Sequence, residues 1–181
     1  FYCKVSVTKM NFFHFKNYNS KLMFLLSILG LLPFFFGLID LLLNKDSLFF
    51  IVNLPKYYGS IILTFLGAVY WGIILYDSRK DLISAKVKTY IICWSIIPSL
   101  WSGLILIFNH NITIIILALC FMVVQFVDEY IIKYFKFPIW YLFLRRSLTI
   151  VVICILIFTY FLIEGIRLNE NVSYNKIWAY W

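Results

Sequence analysis

A chain of 181 residues that is 64% hydrophobic, 21% aromatic and only 13% charged lacks the composition of a water-soluble domain, in which about a quarter of residues carry charge. Its net charge of +8 is dispersed among loops and forms no basic face with interleaved reader residues, which excludes a nucleic-acid binder. The charges sit between long apolar runs, and that pattern defines an all-α, polytopic membrane protein of about five transmembrane helices.

In chain order, residues 1–21 form a basic, aromatic segment with Lys4, Lys9, Lys16 and Lys21 and no acidic residue. Such a segment suits the mature end left by a removed presequence, a membrane surface or a partner, and we favour surface or partner. Residues 22–165 form the transmembrane domain. Its first span, Leu22 to Leu43, has Pro33 at its middle, where a kink is expected, and Asp40 near its far end. A polar loop from Asn44 to Lys56 leads to the second span, Tyr57 to Tyr76. That span carries small residues four apart at Ser60, Thr64, Ala68 and Gly72, with Gly59 and Gly67 beside them. Lipid offers no hydrophobic drive for helix association, so ridges of small residues that admit a neighbouring backbone are the expected packing seam.

After a charged loop with Asp77, Arg79, Lys80, Asp81, Lys86 and Lys88, the third span runs from Tyr90 to Phe108. Pro98 is at its centre, and a matching row of Ser95, Ser99 and Gly103 should mate with the second span. A turn at Asn109 to Asn111 precedes the fourth span, Ile112 to about Val127, with Gln125 near its end and Asp128 and Glu129 just beyond. A mixed segment, Tyr130 to Arg146, leads to the fifth span, Leu148 to Ile163. The tail, residues 166–181, ends in Trp178, Tyr180 and Trp181, which suit a partner contact or a membrane belt.

Alternating spans place twelve Lys and Arg residues on the N-terminal side and four, Lys45, Lys56, Arg167 and Lys176, on the other. The positive-inside rule then puts the N-terminus in the cytoplasm or, in a mitochondrion, the matrix. Arg79, Lys80, Lys86, Lys88, Lys133, Lys136, Arg145 and Arg146 are candidate ligands for phospholipid head groups such as cardiolipin; ordinary orientation signalling is the alternative.

Asp128, Glu129, Arg145 and Arg146 share one membrane face. They could form a proton or ion relay, but their place at span ends favours an ion-pair cluster tying the fourth span to the fifth, with Asp128 to Arg145 or Arg146 as its central pair. Asp40 is read as a water-facing residue at the last turn of its span. His14 and His110 fall on opposite sides and cannot share a haem or a metal. Cys3, Cys93, Cys120 and Cys154 lack the spacing of a metal knuckle or a disulfide framework. Neither a phosphate loop nor a nucleophile elbow occurs, so no catalytic residue, cofactor site or metal site is assigned. The Asn-Xaa-Ser/Thr triplets at Asn111 and Asn171 match the glycosylation acceptor pattern on the side opposite the positive charges, as an endoplasmic-reticulum protein would have. Asn111 abuts the membrane, however, and an Asn-rich chain produces such triplets by chance, the reading we favour.

LGLLPF at 29–34, YGSIILTFLGAVYWG at 58–72, IIPSLWSG at 96–103, Gln125 with Asp128, and PIWYLFLRRSLT at 138–149 follow one another in an order that resembles the transmembrane protein 69 family. Those are small multi-span proteins of bacteria and mitochondria without an established biochemical function. The resemblance covers about residues 25–160. It implies the fold and an inner-mitochondrial-membrane location. Tyr70 stands where that family usually carries His or Arg, so no proton-handling or anion-binding role is carried over to it. The expectation is a non-catalytic accessory subunit of a large inner-membrane complex of the respiratory chain, with other membrane subunits and phospholipids as partners. The alternative is a small oligomeric transporter or channel built around Thr64, Ser95, Ser99 and the two proline-bearing spans.

Overall fold

The computed structural model describes residues 18–43, 49–77, 84–108, 110–132, 135 and 139–178, with side chains over slightly shorter ranges. Six helices follow in order: α1 (Tyr18–Leu29), α2 (Leu32–Leu43), α3 (Phe49–Asp77), α4 (Ala85–Ile107), α5 (Ile112–Ile132) and α6 (Ile139–Trp178), and no strand occurs among the described residues. Among the described residues five stretches are long and apolar enough to cross a membrane: Lys21–Leu43 (α1 with α2), Asn53–Leu75, Ala85–Ile107, Ile112–Ile131 and Trp140–Ile166. The chain is a multi-pass helical membrane protein.

The first span is two helices where one kinked helix was expected. Pro33 has no N–H, and its ring excludes the carbonyl four residues back. The backbone accordingly breaks between α1 and α2, where Gly30 N still bonds Leu26 O but Leu31 N turns to Ile28 O and Phe34 N to Leu31 O. Pro33 thus lies in the first turn of α2, where a missing N–H costs least. The other helices run past the boundaries that hydropathy suggested. Helix α3 begins at Phe49, inside the expected loop; α4 begins at Ala85 and takes in Lys86 and Lys88; α5 continues through Asp128 and Glu129 to Ile132; α6 starts at Ile139 and runs to Trp178. Lys, Arg and Glu are good helix formers. Their charge ends a membrane crossing without ending a helix.

A row of buried positions on each of α3, α4 and α5 follows one period. On α3 it is Lys56, Ser60, Leu63, Gly67, Tyr70 and Ile74, spaced alternately four and three, with Pro55 and Gly59 buried beside it. Those of α4 (Ile91, Ser95, Pro98, Ser102, Ile105) repeat the pattern, as do Ile114, Leu117, Phe121, Val124, Asp128 and Ile131 of α5. A mean spacing of 3.5 residues is the seam of left-handed knobs-into-holes packing. Helix α3 packs on α2, α4 and α5, its most extensive contact being with α4, and α5 packs along α6. The main core gathers Phe34, Leu63, Ile114, Leu117, Phe121 and Leu156 among others, and a second cluster lies around Tyr70, Ile74, Ile91 and Ile131.

This period corrects the expected small-residue seam. Ser60 and Ser95 are on it, Thr64 and Ser99 are half-buried at its edge, and Ala68, Gly72 and Gly103 face outward. A side chain added at Gly72 or Gly103 would meet nothing within 4 Å. Steps of four residues advance about 400°, so the row drifts by about 40° per step. Three steps carry it off the interface. The close approach is at Gly67, where a methyl would collide with the Ser95 carbonyl oxygen and lie 3.4 Å from the Pro98 ring. Ser102 Oγ donates to Ser60 O at 2.7 Å, and Trp71 Nε1 donates to Ser95 Oγ at 2.6 Å. On the flank of α3 turned toward α2 and α5, Gly59 admits Leu117 and Phe34.

Candidate functional site

The polar residues of the α5–α6 seam collect near the C-terminal end of α5 and the N-terminal end of α6. Arg145 Nε donates to Asp128 Oδ2, and Nη2 lies against the same oxygen. Arg145 Nη1 points at Tyr141 Oη, 3.4 Å away. One residue further round each helix, Arg146 Nε donates to Glu129 Oε1 at 2.7 Å. Gln125 Nε2 donates to that same oxygen at 3.3 Å while its Oε1 accepts from Thr149 Oγ1 at 3.1 Å. Six α5 and α6 side chains thereby pair across the seam, the partners of both ion pairs standing seventeen residues apart.

The two ion pairs differ in depth. The Asp128 side chain is 3% exposed and Arg145 13%, against 40% for Glu129 and 56% for Arg146. Asp128 Oδ1 is buried without a hydrogen-bond partner. The inner pair is therefore a strong structural tie whose rupture would strand a charge. The outer pair is exposed to screening and contributes little.

Arg145 has a second neighbourhood. A cavity of about 420 Å³ opens between α1–α2, α3 and α6, lined mainly by apolar side chains such as Ile62, Phe65, Leu66 and Val152, with Tyr141, Arg145 and Thr149 at one end.

At the opposite end of the bundle, Lys56 is 2% exposed and its Nζ donates to Phe108 O at 2.9 Å. It satisfies a carbonyl at the C-terminus of α4 and places positive charge at the negative end of that helix dipole. Asn111 Nδ2 donates to Glu164 Oε1 at 3.2 Å, and Thr113 Oγ1 donates to His110 O at 2.6 Å. His110 thus belongs to the start of α5.

Of the expected head-group ligands, Lys86 is exposed and Lys88 half-buried in the first turn of α4. Arg145 and Arg146 lie on α6, which makes no substantial contact with α4. Arg79, Lys80, Lys133, Lys136, Tyr180 and Trp181 lie outside the described residues, as do His14 and Cys3, and the side chain of Trp178 is likewise outside them. Among the described residues no group of three or more His, Cys, Asp or Glu could hold a metal ion. Sequence reasoning placed Gly67 beside the seam instead of on it, and missed Ser102 and the inward turn of Lys56. Spacing at seven residues would have found the first two, because Ser60–Gly67–Ile74 and Ser95–Ser102 keep one face where a step of four does not.

No curated protein and no solved structure matches the chain. One family model does, described as a protein of unknown function (DUF3429), and it spans residues 19–161, from α1 through most of α6 and including both ion pairs. The chain therefore belongs to the DUF3429 family of proteins of unknown function.

Proposed function

We propose that the protein is a non-catalytic accessory subunit, structural and lipid-binding, of a large mitochondrial inner-membrane complex of the respiratory chain. One observation carries this reading: five polar side chains inside the spans tie one helix to another. Ser102 reaches α3, Trp71 reaches Ser95, Thr149 reaches Gln125, Lys56 caps α4, and Arg145 holds Asp128. What the bundle turns outward is a band of large apolar side chains, including Phe65, Trp71, Leu100, Phe126, Ile150 and Phe161. Such a surface serves lipid or neighbouring helices, and packing is its chemistry. The likeness of residues 25–160 to the transmembrane protein 69 family supports the mitochondrial address. The excess of Lys and Arg on the N-terminal side supports binding of phospholipid phosphate there. A second reading, a small oligomeric transporter, draws on the cavity beside Arg145.

The test is fractionation of gently solubilised inner membranes on a native gel or gradient, following this chain by mass spectrometry. Co-migration with one large complex at constant ratio is the expected result and identifies that complex. Migration as a free chain or a small oligomer would overturn the subunit reading in favour of the carrier.

A further inference from the structure

The cavity beside Arg145 lies against the break between α1 and α2, with Ser27, Gly30, Leu31 and Phe34 in its lining. Helix α1 packs on α6, and α2 on α3 and α6. The space between α1–α2, α3 and α6 stays open. On α3 the lining runs from Tyr58 to Val69 and on α6 from Tyr141 to Val152, each about 16 Å at 1.5 Å per residue. The helices are antiparallel, so Val69 and Tyr141 mark one end and Tyr58 and Val152 the other. The result is a long slot of about 420 Å³, within the size range of small-molecule sites. Apart from Ser27, Tyr58 and the end at Tyr141, Arg145 and Thr149 its lining is apolar.

In a bilayer such a slot meets hydrocarbon, and an apolar wall without partner atoms forfeits its dispersion contacts. An acyl chain supplies them. The polar end adds a condition on the head group. Arg145 commits Nε and Nη2 to Asp128 Oδ2 and sets Nη1 at a long 3.4 Å from Tyr141 Oη. A guanidinium has five N–H donors in a planar fork suited to phosphate, and the Asp128 contact occupies two of them. This is also the N-terminal end of the bundle, to which the chain assigns twelve of its sixteen Lys and Arg residues. Long-range attraction there favours an anion.

We propose that the slot bounded by α1–α2, α3 and α6 holds one acyl chain of an anionic phospholipid, whose phosphate accepts hydrogen bonds from the Arg145 guanidinium. This deepens the lipid-binding part of the function proposed above by naming the site and the class of lipid. It stands or falls separately from membership of a complex, which co-migration decides.

The test reconstitutes the full chain in phosphatidylcholine vesicles carrying a trace of phosphatidylglycerol with a photoreactive acyl chain, or the same chain on phosphatidylcholine. The expected result is cross-linking concentrated on residues 62–69 and 148–152. Labelling by the phosphatidylglycerol probe should exceed that by the phosphatidylcholine probe several-fold, because both head groups carry a phosphate but in phosphatidylcholine the choline cation already neutralises it and weakens its pairing with the Arg145 guanidinium. Ser27 lines the slot from α1 and its hydroxyl bonds Met23 O of its own helix, so Ser27→Phe should fill the slot and abolish most of the labelling. Arg145→Gln combined with Asp128→Asn, which leaves no stranded charge, should bring the two probes level while the slot stays labelled. Labels spread over outward residues such as Ile116 and Phe126, equal labelling by both probes in the unmodified chain, or labelling that survives Ser27→Phe would each overturn the proposal.

Discussion

At Gly67 the bundle closes to backbone contact, and the consequence is specific. An added methyl meets the carbonyl oxygen of Ser95, a group the helix holds in place, so α3 and α4 must separate for it to fit. Gly67→Ala should therefore destabilise the protein by about 1–3 kcal/mol, the usual cost of overpacking, whereas Gly72→Ala, into open space, should be neutral or slightly favourable because alanine is the better helix former. Denaturant unfolding in detergent micelles separates the two. A reversed order would mean that the seam follows Gly72 after all. Asp128 sets a second contrast. Arg145→Ala leaves a carboxylate that is 3% exposed without its partner, a loss on the order of 3–5 kcal/mol, while Arg146→Ala removes a half-exposed pair for about 1 kcal/mol or less. The double replacement Asp128→Asn with Arg145→Gln should recover most of the deficit. If it does not, the pair is valued for geometry that an uncharged hydrogen bond cannot supply.

Helix ends carry the next level of argument. The free carbonyls at the C-terminus of α4 are met from outside the helix, by Lys56 of α3 bonding Phe108 O. Lys56→Met keeps the apolar stem and removes the charged donor, so the last turn of α4 should fray. Hydrogen exchange should speed up at residues 104–108 by roughly tenfold, in keeping with about 1–2 kcal/mol for a charge-assisted cap, and remain unchanged in α6 near Arg145. Unchanged exchange at 104–108 would show that the cap is dispensable. That lysine also marks what the sequence could and could not disclose. Five apolar stretches, a distortion at Pro33 (expected as a kink, found as a break) and the partnership of Asp128 with an α6 arginine were legible, because hydropathy, a missing N–H and opposite charges at one membrane face each act locally. The inward turn of Lys56 was not, since a charge beside a span looks the same whether it meets water or a neighbouring helix end. Nor were the starts of α3 and α6, where Phe49 to Lys56 and Ile139 to Ser147 extend the helices beyond the spans expected at Tyr57 to Tyr76 and Leu148 to Ile163.

At the scale of the whole molecule, the alternation of five crossings and the asymmetry of charge make one joint claim. Five crossings put the start of α4 and the start of α5 at opposite ends of the bundle, and contacts agree: Lys56 meets Phe108 and Asn111 meets Glu164 at one end, while Asp128 meets Arg145 at the other. With twelve basic residues against four, the end bearing Asp128 and Arg145 should be the one retained in the matrix or cytoplasm. Single cysteines at Ala85 and at His110, in a chain whose native cysteines are replaced by Ala or Ser, give a direct reading. Both sites are exposed and neither side chain takes part in an ion pair. A membrane-impermeant maleimide added outside intact mitoplasts should modify His110→Cys and spare Ala85→Cys until the membrane is opened. The inverse pattern would reverse the orientation and move Arg145, with the slot beside it, to the opposite leaflet. Labelling of both sites from one side would break the five-crossing topology itself, and with it the reason for expecting phosphate near Arg145.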